Sequence, residues 1–139
     1  MRRDDIIKQL DPIFAYFHLA SGFISALADL IAGSGYESAV FKLLLIRLRV
    51  LQVLGVEAVK QKEFESLSGS GIFSMHLAGQ GFNLRVLYGF MPDRRPILLL
   101  PFFERAGKKA TDYSDRIQEA ERIFKKEKEL HSDGSNSNE

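Results

Sequence analysis

Two side chains in this sequence stand where they could meet a substrate, Arg85 and His76, one on each of two neighbouring strand-like runs. A guanidinium is permanently charged and offers a bidentate fork to a phosphate, and an imidazole can act as acid or base near neutral pH. Both lie in the stretch Gly71 to Phe103, GIFSMHLAGQGFNLRVLYGFMPDRRPILLLPFF, which holds three runs: Ile72 to Leu77, Phe82 to Met91 and Ile97 to Phe103. Gly79, Gln80 and Gly81 part the first two, and Pro92, Asp93, Arg94, Arg95 and Pro96 part the second from the third. These are turn residues, and the pattern predicts two consecutive antiparallel hairpins.

Side chains alternate along a strand, so the second run puts Phe82, Leu84, Val86, Tyr88 and Phe90 on one face and Asn83, Arg85, Leu87, Gly89 and Met91 on the other. Likewise Phe73, Met75 and Leu77 oppose Ile72, Ser74 and His76. One face needs a helical layer. The other carries Arg85, with His76 as a second candidate. The third run is apolar on both faces and reads as a strand covered on both sides.

Several chemistries are excluded. The chain has no cysteine, which removes disulfides, thiolate metal sites and a Cys nucleophile. No GxxxxGK follows a strand, and the SLSGSG segment before Ile72 serves flexibility rather than phosphate binding. His18 and His131 stand isolated, so His76 is the one plausibly placed imidazole, and no Ser/His/Asp set or nucleophile elbow can be argued. No paired carboxylates at a strand end suggest glycoside chemistry, and no convincing metal-ligand set or cofactor motif is present. With 19 basic and 18 acidic residues the net charge is +1, so any nucleic-acid site must be a local basic patch.

The rest of the chain must position these strands. At 139 residues, 45% of them hydrophobic, one domain with a real core is expected. Ile13 to Leu19 is a strand candidate. Phe23, Ala26, Leu27, Leu30 and Ile31 have helical spacing, ended by Gly33 to Gly35. A second helix is expected from Tyr36 or Glu37 to Leu54, stopped by Gly55; it is apolar almost all round and reads as the main buried helix, its bases reaching solvent. Its bases argue against a membrane span, and the absence of an apolar signal core in MRRDDIIKQL implies a cytoplasmic protein. Val56 to Ser70 reads as a connector. Asp112 or Ser114 can cap a last helix with the stripe Ile117, Ala120, Ile123 and Phe124. The domain is thus expected over 1–126, and 127–139 as a disordered tail. The fold class is α+β, a small mainly antiparallel sheet packed by helices in the order strand-helix-helix-strand-strand-strand-helix.

This order, with specific residues, resembles the RelE/HigB superfamily of bacterial type II toxins, in particular its phage-associated HigB-like branch. The resemblance covers roughly Ile13 to Lys126. It rests on Leu54 and Gly55 at the end of a leucine-rich helix, the segment Phe64 to Leu67, the strand Ile72 to Leu77, LRVLY at Leu84 to Tyr88, ILLLPFF, Lys108 and Lys109, and Ile117, Ala120 and Arg122 on the last helix. Proteins of this family are metal-independent endoribonucleases, or mRNA interferases, that cleave messenger RNA, usually in the ribosome, and are neutralised by a small antitoxin, here expected to be of helix-turn-helix type.

The resemblance implies that Arg85 holds the scissile phosphate, that Arg105, Lys108 and Lys109 supply further phosphate-binding cations, and that Tyr113 stacks on a base or assists proton transfer. His76 stands where the family more often has Lys or Arg, and would act as acid or base. Glu104 adds a negative charge beside the site, and the near-neutral chain departs from the strongly basic members. These departures keep open a non-catalytic binding module or a ParE-like, gyrase-inhibiting member, and a plain interaction protein. Taken without the resemblance, Arg85 reads more readily as a salt-bridged strand residue, Lys108 and Lys109 as a solvated loop, and Tyr113 as a ring packed under a helix start.

Overall fold

The protein is described by a computed structural model covering the backbone of residues 1–67, 69–104 and 110–137, with side chains over the same span except 110–112 and 132–137. The stretch that sequence marks as the framework forms β3 (Ile72–Gly79), β4 (Phe82–Phe90) and β5 (Pro96–Phe103), joined as antiparallel neighbours. A short fourth strand, β2 (Phe64–Leu67), pairs antiparallel with β3 inside what the sequence suggests is a connector. At the far edge β1 (His18–Leu19) runs parallel to β5, giving a five-stranded mixed sheet ordered β1-β5-β4-β3-β2. The expected strand Ile13 to Leu19 is therefore only two residues long. Its first two residues end a 3₁₀ turn, Asp11–Phe14, preceded by an unexpected helix α1 (Arg3–Leu10) that buries Ile6 and Leu10. Charged residues mask this helix, because only Ile6 and Leu10 are fully buried, with Ile7 partly so.

Helices α2 (Phe23–Ile31) and α3 (Glu37–Leu54) form where their spacing predicts. Gly22, at φ 81°, supplies the left-handed turn that launches α2. At the start of α3 the buried Glu37 carboxylate accepts the Gly33 N–H at 3.1 Å, which suits the positive end of the helix. With α1 they cover one face of the sheet, where Met75, Leu77, Leu84, Val86, Tyr88 and Leu98 join the larger core. The contrast with expectation is α3 itself: Val40, Leu44, Leu48 and Leu51 are buried, whereas Leu45, Ile46 and Val53 are exposed.

Among the described residues, α4 (Ala110–Ser137) is the helix that covers the other face. This helix begins ahead of the caps expected at Asp112 or Ser114, and its backbone stays helical through the region where sequence suggests a tail. Its inward stripe continues from Ala120 and Phe124 to Glu127, whose carboxylate accepts the Ser21 N–H at 3.1 Å. His131, one turn on, meets the His18 ring edge-to-face at 5.2 Å, and His18 Nε2 lies 2.7 Å from Asp93 Oδ2. The two histidines that look isolated in sequence thus meet where α4 passes β1. The Arg95 N–H and the His18 ring hold the Asp93 carboxyl below its ordinary range.

Two local features seat α4. A bulge sets Leu87 opposite Leu100 and Tyr88 opposite Leu98, so Leu99 is an extra residue, and both Leu99 and Leu100 enter the α4-side core. At Gly89 an added Cβ would lie 2.7 Å from the Phe124 ring, so the absent side chain is what lets the helix approach.

On the opposite face Tyr88 is fully buried among Phe64, Phe73 and Phe90, and its hydroxyl has no hydrogen-bond partner among the described residues. An unpaired buried hydroxyl costs more than it contributes, so Tyr88→Phe is expected to stabilise the fold by about 1 kcal/mol. The midpoint of urea unfolding checks this; a lower midpoint in the variant would mean the hydroxyl is satisfied after all.

Candidate functional site

The face of the sheet toward α4 is the one that alternation assigns to Arg85. Strand pairing arranges its side chains in rows. His76 of β3, Arg85 of β4 and Phe102 of β5 are direct neighbours across the sheet. In the adjacent row stand Glu65 of β2, Ser74 of β3 and Leu87 of β4. Leu87 belongs to the dry core under α4, whereas the Arg85 row lies at the margin of that core, toward the start of the helix.

Arg85 is the hub. Its side chain is only 17% exposed, and a guanidinium so placed must find acceptors. Nε donates to Glu104 Oε1 at 3.0 Å, and Nη1 donates to Glu65 Oε1 at 3.2 Å and to Ser74 Oγ at 3.3 Å. Glu104 is brought there by continued strand pairing, since its N–H donates to the Asn83 carbonyl at 2.8 Å. The Tyr113 hydroxyl, from the first turns of α4, donates to the same Glu65 Oε1 at 3.4 Å, and the Arg85 guanidinium lies 5.9 Å from the Tyr113 ring centre. That ring packs edge-on against Phe102 at 5.8 Å, whose face is covered by the Arg116 guanidinium at 5.4 Å. Strands β2, β4 and β5 and helix α4 therefore meet at one ion-pair cluster.

His76 stands directly across the strand pair from Arg85, with Nε2 3.1 Å from Asn83 Oδ1. Burial lowers its pKa, and the Arg85 guanidinium lowers it further, against the opposing pull of Asn83. The ring is thus neutral at pH 7 and has a free lone pair to offer. Its backbone carbonyl, beyond the end of β2, accepts from Arg47 Nε at 2.9 Å. Burial raises the Tyr113 pKa, so its hydroxyl keeps its proton and acts as a donor.

The structure brings Arg85 and Tyr113 together on Glu65, and places His76 beside Arg85. Arg105, Lys108 and Lys109 lie outside the described residues. Glu65 is not among the expected site residues, because the sequence reads β2 as part of a connector; Ser74 lies on the expected face of β3 without an expected role. The signal was available in Phe64 and Glu65, a buried aromatic followed by an outward acid, which is the alternation of a half-buried strand. The ordinary reading of Arg85, a salt-bridged strand residue, is also what the geometry displays: two carboxylates share its fork. A phosphate entering here competes with these carboxylates for the guanidinium.

Comparison with protein-family models, with curated proteins and with solved structures finds no match to this chain.

A histidine whose folded pKa is depressed below its ordinary value of 6.5 leaves the folded state with fewer bound protons than the unfolded chain once the pH falls past that value. Stability then drops with acidification. His76→Asn is expected to flatten the fall in unfolding free energy between about pH 7.5 and pH 5 relative to wild type. Parallel pH profiles for the two proteins would contradict the depressed pKa.

Proposed function

We propose that this chain is the toxin of a type II toxin-antitoxin pair of the RelE/HigB type, a metal-independent endoribonuclease acting on messenger RNA in the cytoplasm, in association with the ribosome. The observation that carries the reading is the meeting of the Arg85 guanidinium and the Tyr113 hydroxyl at one exposed carboxylate, with the neutral His76 ring in the neighbouring strand position. The α+β frame, with three consecutive antiparallel strands followed by a helix across one face, is compatible with it.

The chemistry follows from the residue types. A ribose 2′-hydroxyl attacks the adjacent phosphorus, forming a cyclic phosphate as the bond to the 5′-oxygen breaks. His76, neutral through burial and its proximity to Arg85, accepts the 2′-hydroxyl proton. Arg85 stabilises the added negative charge on the phosphorane by turning its fork from Glu104 and Glu65 to the phosphate oxygens. Tyr113 supplies the proton for the leaving oxygen, consistent with the raised pKa that keeps it protonated. Arg105, Lys108 and Lys109 would add the cations that the described site lacks. A helix-turn-helix antitoxin would be the cognate partner.

One observation favours a second reading. Arg85 is paired with two carboxylates, Glu65 and Glu104, so its single charge is outnumbered before any substrate arrives. That balance suits a non-catalytic or ParE-like binding module on the same fold, which would inhibit gyrase or another target without cutting RNA.

Induced expression in a bacterial host separates the two. Growth arrest with new 5′ ends inside coding sequences is expected for the wild type by primer extension. Arg85→Ala, folded and soluble, should lower cleavage by about a hundredfold or more, the scale set by losing one preorganised charge contact. Arrest with intact messages and failing DNA supercoiling would establish the second reading, and an equally active Arg85→Ala protein would remove Arg85 from the site.

A further inference from the structure

Helix α3 turns an apolar face away from the sheet. Its buried positions, Val40, Leu44, Leu48 and Leu51, follow one helical stripe; at 3.6 residues per turn, Ile46 and Val53 fall on the far side and Leu45 on the flank, 52%, 67% and 53% exposed. Val56, in the 3₁₀ turn that follows, continues the patch at 58%. Apart from Leu54 at the same helix end, the other exposed large hydrophobics among the described residues are Met1 and Leu130, so exposure is concentrated here. Ile13 and Phe17 rise beside α3 and complete a groove of about 470 Å³ against Leu45, Ile46 and Arg49. Contiguous exposed apolar surface of this kind marks an interaction site.

Charge and shape select the occupant. After Glu37, α3 carries Lys42, Arg47 and Arg49 and no acid. Arg47 is engaged with the His76 carbonyl. Lys42 and Arg49 are exposed, and neither has a carboxylate partner among the described residues. Glu57, the next acid along the chain, is held by Lys60 at 3.0 Å. The groove runs between α3 and the segment holding Ile13 and Phe17, which suits a rod-shaped element. From Lys42 to Val53 the face extends about 16 Å, or about three helical turns.

We propose that this outer face of α3, with the groove along its flank, docks an acidic amphipathic helix of a partner protein, with aliphatic side chains at i, i+4 and i+7 set against Leu45, Ile46 and Val53, and flanking Asp or Glu facing Lys42 and Arg49. The inference is independent of the ribonuclease reading. α3 packs on the opposite face of the sheet from α4, so a docked helix leaves Arg85 and Tyr113 uncovered.

The test uses the full chain and two labelled helical peptides of about 20 residues, a length that spans the groove. Both carry Leu at the same spacing, one with Glu flanks and one with Lys flanks. Fluorescence anisotropy should show the Glu-flanked peptide binding and the Lys-flanked one failing. Ile46→Ser with Val53→Ser should weaken binding about tenfold through lost burial. Lys42→Glu with Arg49→Glu should reverse the preference between the peptides, with about a tenfold loss for the Glu-flanked one. All four substitutions are at exposed positions, and circular dichroism verifies the fold. Failure of the Glu-flanked peptide to bind, equal binding of both peptides, or binding unaffected by either pair overturns the proposal. Concentration-dependent dimerisation abolished by the Ile46→Ser pair would assign the groove to a second copy, and binding to phosphatidylglycerol vesicles in place of the peptide would assign it to a membrane; either result also overturns it.

Discussion

A guanidinium that is mostly removed from water, yet sits beside a route to solvent, is the constraint on which the α4 face depends. Arg85 carries a permanent charge, as every guanidinium in a protein does. It therefore gathers acceptors from three directions: Glu65 from the edge strand β2, Ser74 from β3, and Glu104 from the end of β5. Tyr113 joins through Glu65 and brings in the start of α4. Separate pieces of chain thus have a polar reason to meet where the hydrophobic core ends. The cluster that holds them sets a permanent cation, a proton-bearing phenol and an imidazole in neighbouring positions on this face.

The sheet divides the molecule's tasks. Against α1, α2 and α3 it builds the larger core, rich in aromatics around Tyr88, and that side leaves its spare apolar surface on the outside of α3. Against α4 it builds a smaller core, made possible by the bulge at Leu99 and by the missing side chain of Gly89. A single helix cannot cover the whole width of five strands. At the margin of this core, toward the start of α4, His76, Arg85 and the buried Phe102 lie in one row.

Much of this was legible in the residues. Period-two alternation placed Arg85 and His76 on the same sheet face, and Gly-rich or Pro-bounded turns marked the hairpins because few other residues adopt those conformations. Helices α2 and α3 announced themselves by spacing. What stayed hidden depended on partners distant in sequence. Helix α1 has only Ile6 and Leu10 as fully buried anchors, and β1 is held to β5 over two residues. The inward stripe of α4 continues through the polar Glu127, which hydrophobicity does not register, because its place is earned by the Ser21 N–H. Glu65 was invisible as a site residue for the same reason: its role exists only once β2 is laid beside β3. The exposed side of α3 was misjudged because an all-round apolar helix normally signals burial on every side, and here one side lacks a cover.

The central claim is that Arg85 is a phosphate ligand whose two carboxylates are displaceable competitors. Its side-chain Nε–H, observed by ¹H–¹⁵N NMR, reports on this directly during titration with a short RNA whose 2′-hydroxyls are replaced by hydrogen, so that binding occurs without cleavage. The account predicts that this resonance shifts on addition of the oligonucleotide, and shifts at lower concentration in Glu104→Gln, where one competitor has lost its charge. A resonance that stays fixed in both proteins would show that the Glu65–Arg85–Glu104 cluster is a structural tie and nothing more.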